Sequence, residues 1–139
     1  MNQILCVGRN YAAHISEMNS TRPGKDEVLW FDKPMSSLLL PGEPFKINSD
    51  DEFHYEVELG VVIGMRGRYI KKEDALKHVG GWFVGIDFTN RTLQSKAKQD
   101  CSDWNLAKGF DQSAAVSETV EKSAVKDWQD LNLQLSING

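Results

Sequence analysis

The chain is poor in cysteine, in long apolar runs and in positive charge. Its two cysteines, Cys6 and Cys101, supply neither a disulfide framework nor the spaced thiols of a zinc site, so both are expected to be free. No apolar stretch is long enough to cross a membrane. The first residues, Met-Asn-Gln-Ile-Leu-Cys-Val-Gly, read as a strand and not as a signal peptide, which makes the cytoplasm the expected compartment. A formal charge of -4 lacks the basic surplus of nucleic-acid binders, so neither nucleic acid nor a membrane is an expected partner. Repeats and low-complexity tracts are absent as well. What is there is 139 residues, 40% hydrophobic and 26% charged, the composition of one mildly acidic globular domain with room for a core.

Within that ordinary composition one run stands out, His-Tyr-Glu-Val-Glu-Leu-Gly-Val-Val-Ile-Gly at 54–64. In a strand, Glu56 and Glu58 point to the same face, so the run sets two carboxylates side by side among Val, Ile and Leu. Like charges at that distance are costly unless a positive group neutralises them. A second apolar stretch, 81–89, carries Asp87 near its end as a possible third oxygen ligand. Three carboxylates without sulfur suit a hard ion, Mg²⁺ or Mn²⁺. The competing reading puts both glutamates in solvent on an edge strand and makes Asp87 a helix cap.

The rest of the chain reads as β-rich with short helices. Ile4–Val7 is a strand, followed by a turn at 8–10 and a helix over about 10–19 on which His14 and Glu17 lie three apart. Residues 19–27 are turn formers and charges, an exposed loop. Val28–Asp32 and Leu38–Leu40 are extended, with a Pro-Gly turn at 41–42. A helix is expected over 71–79, a strand over 81–88, and then a helix capped by Thr89 with Arg91 and Gln94 on one face. Segments 104–110 and 113–116 read as irregular or extended, and 120–128 carries no clear pattern. Leu131, Leu133, Leu135 and Ile137 alternate with polar residues as in a half-buried strand, ending in the hairpin signal Asn138-Gly139. The expectation is that a returning strand belongs after it, so that the chain is the N-terminal part of a longer domain; a frayed natural terminus is the alternative.

Taken in order, these segments resemble the fumarylacetoacetate hydrolase family, in particular its small members acting as acylpyruvases and oxaloacetate decarboxylases or tautomerases. The likeness runs through Val7-Gly-Arg9-Asn-Tyr11 with His14 and Glu17, Phe31-Asp-Lys33-Pro34, His54-Tyr-Glu56-Val-Glu58-Leu, Gly85-Ile-Asp87-Phe-Thr-Asn-Arg91-Thr-Leu-Gln94, Trp104-Asn-Leu-Ala-Lys108-Gly-Phe-Asp111 and Leu135-Ser-Ile-Asn-Gly139. It implies a mixed α+β, β-rich fold of the β-roll type, a single catalytic domain with a lid helix at about 10–19 and metal-binding strands at about 54–64 and 81–88. It further implies Glu56, Glu58 and Asp87 as ligands of Mg²⁺ or Mn²⁺, which acts as a Lewis acid on a small 2-oxo acid. Arg9, Arg91 and Lys108 are then cations for an anionic substrate, Lys108 and Gln94 take catalytic or orienting roles, and His14 with Glu17 moves protons. A homodimer is the implied assembly.

The same site serves hydrolysis of acylpyruvates, or decarboxylation or tautomerisation of oxaloacetate, and these residues do not choose among them. Two departures stand against the resemblance. Gln-Ser-Ala-Ala-Val-Ser follows Phe110-Asp111 where members usually carry Gly-Pro, and the family's Gly-Thr-Pro loop has no counterpart here. A non-catalytic, oxo-acid-binding or degenerate member, or an inactive fragment, is therefore the alternative function. His54, His78, the methionines and the tryptophans are read as structural.

Overall fold

The computed structural model describes residues 3–17, 24, 27–47 and 49–139. The expected loop at 19–27, and the last residues of the expected helix at 10–19, fall largely outside them. Two sheets carry the fold. In the smaller, β1 (Ile4–Gly8) runs antiparallel to β2 (Leu29–Lys33), with α1 (Ala12–Glu17) in the connection. The larger sheet has the order β3-β6-β5-β4, with β3 at Leu38–Leu39, β4 at Phe53–Ile63, β5 at Val79–Asn90 and β6 at Ala114–Val116. A short β7 (Val120–Glu121) also pairs with β5. All pairings are antiparallel except β3 with β6.

The long β4–β5 ladder is the frame. Its register sets Glu56 opposite Asp87, Glu58 opposite Gly85 and His54 opposite Thr89, so period two gathers these side chains on one face. The register is fixed partly by shape. Gly60 lies opposite Phe83, whose ring covers it so closely that a Cβ there would come within 2.2 Å of Phe83 Cζ. At the open end, Gly64 and Gly80 touch backbone to backbone beside a bulge at Val62/Ile63.

The other face of the sheet and the segments laid against it hold Phe45, Phe53, Phe88 and Phe110; Phe45 stacks on Phe88 at 3.8 Å and Phe53 meets Phe110 edge-on at 5.6 Å. The largest fully enclosed side chains among the described residues, however, are Lys33, Thr89, Ser37 and Ser113, which are polar. Such burial is stable only with hydrogen-bond partners, and for Lys33 and Thr89 these lie at the site described below.

Several expectations are corrected. Asn90, not Thr89, caps α2 (Arg91–Gln99): its side chain accepts from the Leu93 N–H at 3.0 Å, whereas the buried Thr89 hydroxyl is already bonded to Glu56 and Lys108. The stretch from Trp104 is not extended but contains a helical turn, α3 (Asn105–Lys108), started by Asp103 Oδ1 accepting from the Asn105 N–H at 2.9 Å; four residues are too few to show a period. Lys72–His78 winds as a 3₁₀ helix, the tighter form that short, uncapped pieces adopt. Residues 131–137 do not form a strand: alternation selects a face, but a strand also needs a ladder partner, and none lies alongside among the described residues. Asn138 and Gly139 do adopt positive φ, 57° and 104°, as a tight hairpin turn requires.

Gly80→Ala is expected to lower stability by about 1–3 kcal/mol, since the added Cβ would sit 2.9 Å from Gly64 Cα with only backbone to give way. Thermal or urea unfolding of the variant checks this.

Candidate metal centre and oxo-acid pocket

Glu56, Glu58 and Asp87 converge as the ladder register demands, and each offers a carboxylate oxygen within 4.8 Å of the others. β4 is indeed at the edge of its sheet, but the two glutamates turn to the pocket and not to solvent, and Asp87 caps nothing. Cations reach them from three elements. Lys108, the last residue of α3, places Nζ 2.5 Å from Asp87 Oδ2 and 3.2 Å from Glu56 Oε2, and donates to Thr89 Oγ1 at 2.6 Å. Thr89 in turn donates to Glu56 Oε1 at 3.1 Å. Arg91, in the first turn of α2, pairs with Glu56 Oε1 through Nη2 and donates from Nη1 to Gln94 Oε1 at 2.6 Å. Lys33 at the end of β2 lies 2.7 Å from Asp87 Oδ1.

The charges are unevenly shared. Burial would raise the Glu56 carboxyl, but Lys108 and Arg91 outweigh it and hold its pKa below the ordinary value. Glu58 has no hydrogen bond or ion pair among the described residues; burial first, then the Asp87 and Glu56 charges, push its pKa up to about 7. Burial lowers the Lys33 pKa against the opposing pull of Asp87. The fit to a hard divalent ion rests on this donor set: three convergent oxygens, no sulfur among them, and one carboxylate that the protein's own cations leave uncompensated.

A pocket of about 260 Å³ opens over this cluster, lined also by Arg9, Tyr11, His14, Gln94, Lys98 and Trp104. Arg9 has φ 56°, in the left-handed region that disfavours a side chain, and it sits where β1 turns toward α1. Tyr11 ties that turn down, its hydroxyl accepting from the Leu59 N–H at 3.0 Å, next to Glu58. On α1, His14 faces the pocket with Nδ1 3.8 Å from Glu17 Oε2, ion-pair range, and near enough to Glu56 for a positive charge on it to favour that carboxylate. Glu17 itself is mostly exposed.

The structure therefore joins Glu56, Asp87, Lys108, Arg91 and Gln94 through hydrogen bonds and ion pairs and sets Glu58 beside them without one, with Arg9 and His14 at the mouth of the pocket and Glu17 behind His14. Arg91 is engaged with both Gln94 and Glu56, while Gln94 gives its Oε1 to Arg91 and keeps its amide nitrogen without a protein partner among the described residues. The reading of the sequence missed two members. Lys33 and Thr89 stand inside the quoted motifs, but a lysine after a strand and a threonine before a helix look like ordinary surface and cap residues; only their burial reveals them. Cys6, on β1 behind the site, has its thiol pushed up to about 12, chiefly by burial, so it is no nucleophile. His54 pairs with Glu52 and His78 with the Met65 carbonyl, away from the pocket.

The chain is similar to known proteins in sequence and in fold. The family described as fumarylacetoacetate (FAA) hydrolase C-terminal matches residues 3–139. The Arabidopsis thaliana protein named oxaloacetate tautomerase FAHD1, mitochondrial, is 41% identical over 138 residues, covering 99% of this chain and 61% of its own length. The Dictyostelium discoideum oxaloacetate decarboxylase, mitochondrial, is 39% identical over 139 residues, covering 99% and 63%. Among solved structures, a fumarylpyruvate hydrolase from Pseudomonas aeruginosa in complex with Mn²⁺ and pyruvate superposes with a TM-score of 0.80 at 35% identity, over 91% of this chain and 56% of that one. A fumarylacetoacetate hydrolase family protein from Yersinia pestis gives 0.84 at 34% identity, over 93% and 59%. The chain thus spans about six-tenths of the length of the curated relatives it matches.

The Glu58 shift carries a sign. Because its folded pKa is raised, from 4.5 to about 7, the neutral form favours the fold; that contribution is complete below the lower value and is lost as pH rises through the higher. In excess EDTA, Glu58→Gln is expected to melt above the unsubstituted protein at about pH 8 and to lose that advantage near pH 4, as thermal unfolding at the two pH values would show.

Proposed function

The chain belongs to the fumarylacetoacetate hydrolase family, and from that premise we propose that it acts with Mg²⁺ or Mn²⁺ on small 2-oxo acids, interconverting the keto and enol forms of oxaloacetate. The observation that carries this reading is the convergence of three carboxylates, a buried lysine and a histidine on one small pocket. Its volume suits a small acid better than a drug-sized ligand.

A divalent ion held by Glu56, Glu58 and Asp87 would supply Lewis-acid polarisation of the 2-oxo group. The protein's own residues do the rest. His14 takes a proton from the carbon between the 2-oxo group and the distal carboxylate, and returns a proton to the oxygen, so that one hydrogen changes place and no other bond is broken. Glu17, one turn along, steadies the imidazolium in between. Arg9 and Lys108 meet the anionic charge of the acid, and Arg91 with Gln94 keeps Glu56 in position. No step requires an attacking water, which is why tautomerisation asks least of this site.

Hydrolysis of an acylpyruvate is the second reading, favoured by the likeness to the fumarylpyruvate hydrolase solved with Mn²⁺ and pyruvate; there His14 would deprotonate water instead. Decarboxylation of oxaloacetate needs only the electron sink. A homodimer in the cytoplasm completes the proposal, although the curated relatives are named as mitochondrial; no helix among the described residues is long and apolar enough to cross a membrane.

The decisive assay follows the ultraviolet absorbance of oxaloacetate enol, then acetylpyruvate, with the 139-residue chain in Mg²⁺ and in excess EDTA. Metal-dependent change is expected, whereas a folded protein without it is a binding member and not an enzyme. His14→Ala should lower turnover by roughly 10²–10⁴-fold while leaving oxalate binding nearly intact. Arg9→Gly separates binding from folding: glycine accepts φ 56° without strain, so the melting temperature should hold or rise. Its KM should nevertheless increase about tenfold or more, the loss of a hydrogen bond to a charged group.

A further inference from the structure

Lys33 is only 1% exposed and takes no part in lining the pocket, yet it touches the cluster from behind. Its ammonium donates to the Phe88 carbonyl at 3.2 Å, the Ser113 carbonyl at 2.9 Å and the Lys108 carbonyl, and lies 2.7 Å from Asp87 Oδ1. Three backbone carbonyls thus take its three protons, and the Asp87 carboxylate stands beside them in ion-pair contact; these groups belong to β5, to α3 and to the segment before β6. A side chain so tied has no room to leave. Lys108 differs, although it meets the other oxygen, Oδ2: its ammonium lines the pocket and is shared among side-chain acceptors only, which can rearrange.

We propose that Lys33 is a positioning residue that sets metal specificity, by holding Asp87 Oδ1 from outside the pocket so that Asp87 can offer an ion only Oδ2. This rests on the reading of Glu56, Glu58 and Asp87 as metal ligands. The chemical consequence follows from ion size. Ca²⁺ gathers six to eight oxygens and readily takes both oxygens of one carboxylate, whereas Mg²⁺ keeps close to octahedral order with single oxygens and water. An aspartate limited to one oxygen therefore disfavours Ca²⁺ and costs the smaller ions nothing. The fixed ammonium also keeps the carboxylate from rotating to a two-oxygen approach, since rotation would leave the buried Lys33 charge unpaired.

The test is a titration of the full chain with Mn²⁺ by calorimetry, with Ca²⁺ as competitor, on the unsubstituted protein, Lys33→Met and Lys33→Gln. The unsubstituted protein is expected to prefer Mn²⁺ by about 100-fold or more, and Lys33→Met, folded by circular dichroism, to lose about tenfold of that preference, with Lys33→Gln between them. If both affinities fall together and the ratio stays put, Lys33 is merely structural and the proposal is overturned. If the unsubstituted protein binds Ca²⁺ as tightly as Mn²⁺, it is overturned without recourse to any variant, including the case in which Lys33→Met does not fold. Absence of binding by either ion would instead remove the metal reading itself, and with it the role of Lys33.

Discussion

A set of opposed, largely buried charges governs this molecule: Glu56, Glu58 and Asp87 against Lys33, Arg91 and Lys108. Taking an ion out of water costs several kcal/mol, and losing one member of a buried pair strands the other at a cost of about 3–5 kcal/mol. The six side chains come from β2, β4, β5, α2 and α3, so each element relies on others for its counter-charges. The largest fully enclosed side chains are correspondingly polar, while much of the apolar surface, Leu5, Trp30 and Ile63 among it, remains open. Stability and function draw on the same interactions here.

The ladder of β4 and β5 makes this charge cluster possible. A slip of one residue would send Glu56 and Glu58 to the phenylalanine face and break each pairing at once. The shape of the strands resists it, because the Phe83 ring sits on the bare backbone of Gly60, where a side chain would collide with it. The sequence then passes without a loop from β5 into α2, so that Asp87, Arg91 and Gln94 reach the pocket, and Thr89 the charges beneath it, from one continuous stretch. The N-terminal arm arrives separately. It is held through Tyr11 at Leu59 and leaves His14 over Glu56, with Arg9 in a backbone conformation that persists only because its surroundings impose it.

Much of this was legible. Strand periodicity placed Glu56 and Glu58 on one face, and the apolar run ending at Asp87 gave its partner; the helix that brings Gln94 beside Arg91 followed from spacing alone. What went unread has a common cause. Lys33 and Thr89 depend on burial, which no local pattern reports, and α3 is too short to carry a period. The alternating leucines at 131–135 show the converse, a local pattern without the partner that would make it a strand.

The sequence by itself determined the period and chemical identity of the three carboxylates, the absence of sulfur among them and the family likeness, because side-chain direction along a strand is a local property of the backbone. Only the tertiary structure decided which charge answers which. It gave Lys33 to one oxygen of Asp87 and Lys108 to the other, shut Arg91 onto Glu56 and left Glu58 without a cation among the described residues. Those outcomes turn on separations of a few ångströms between segments far apart in the chain, and on how much water the packing excludes, and both are set when the sheets and helices close on one another.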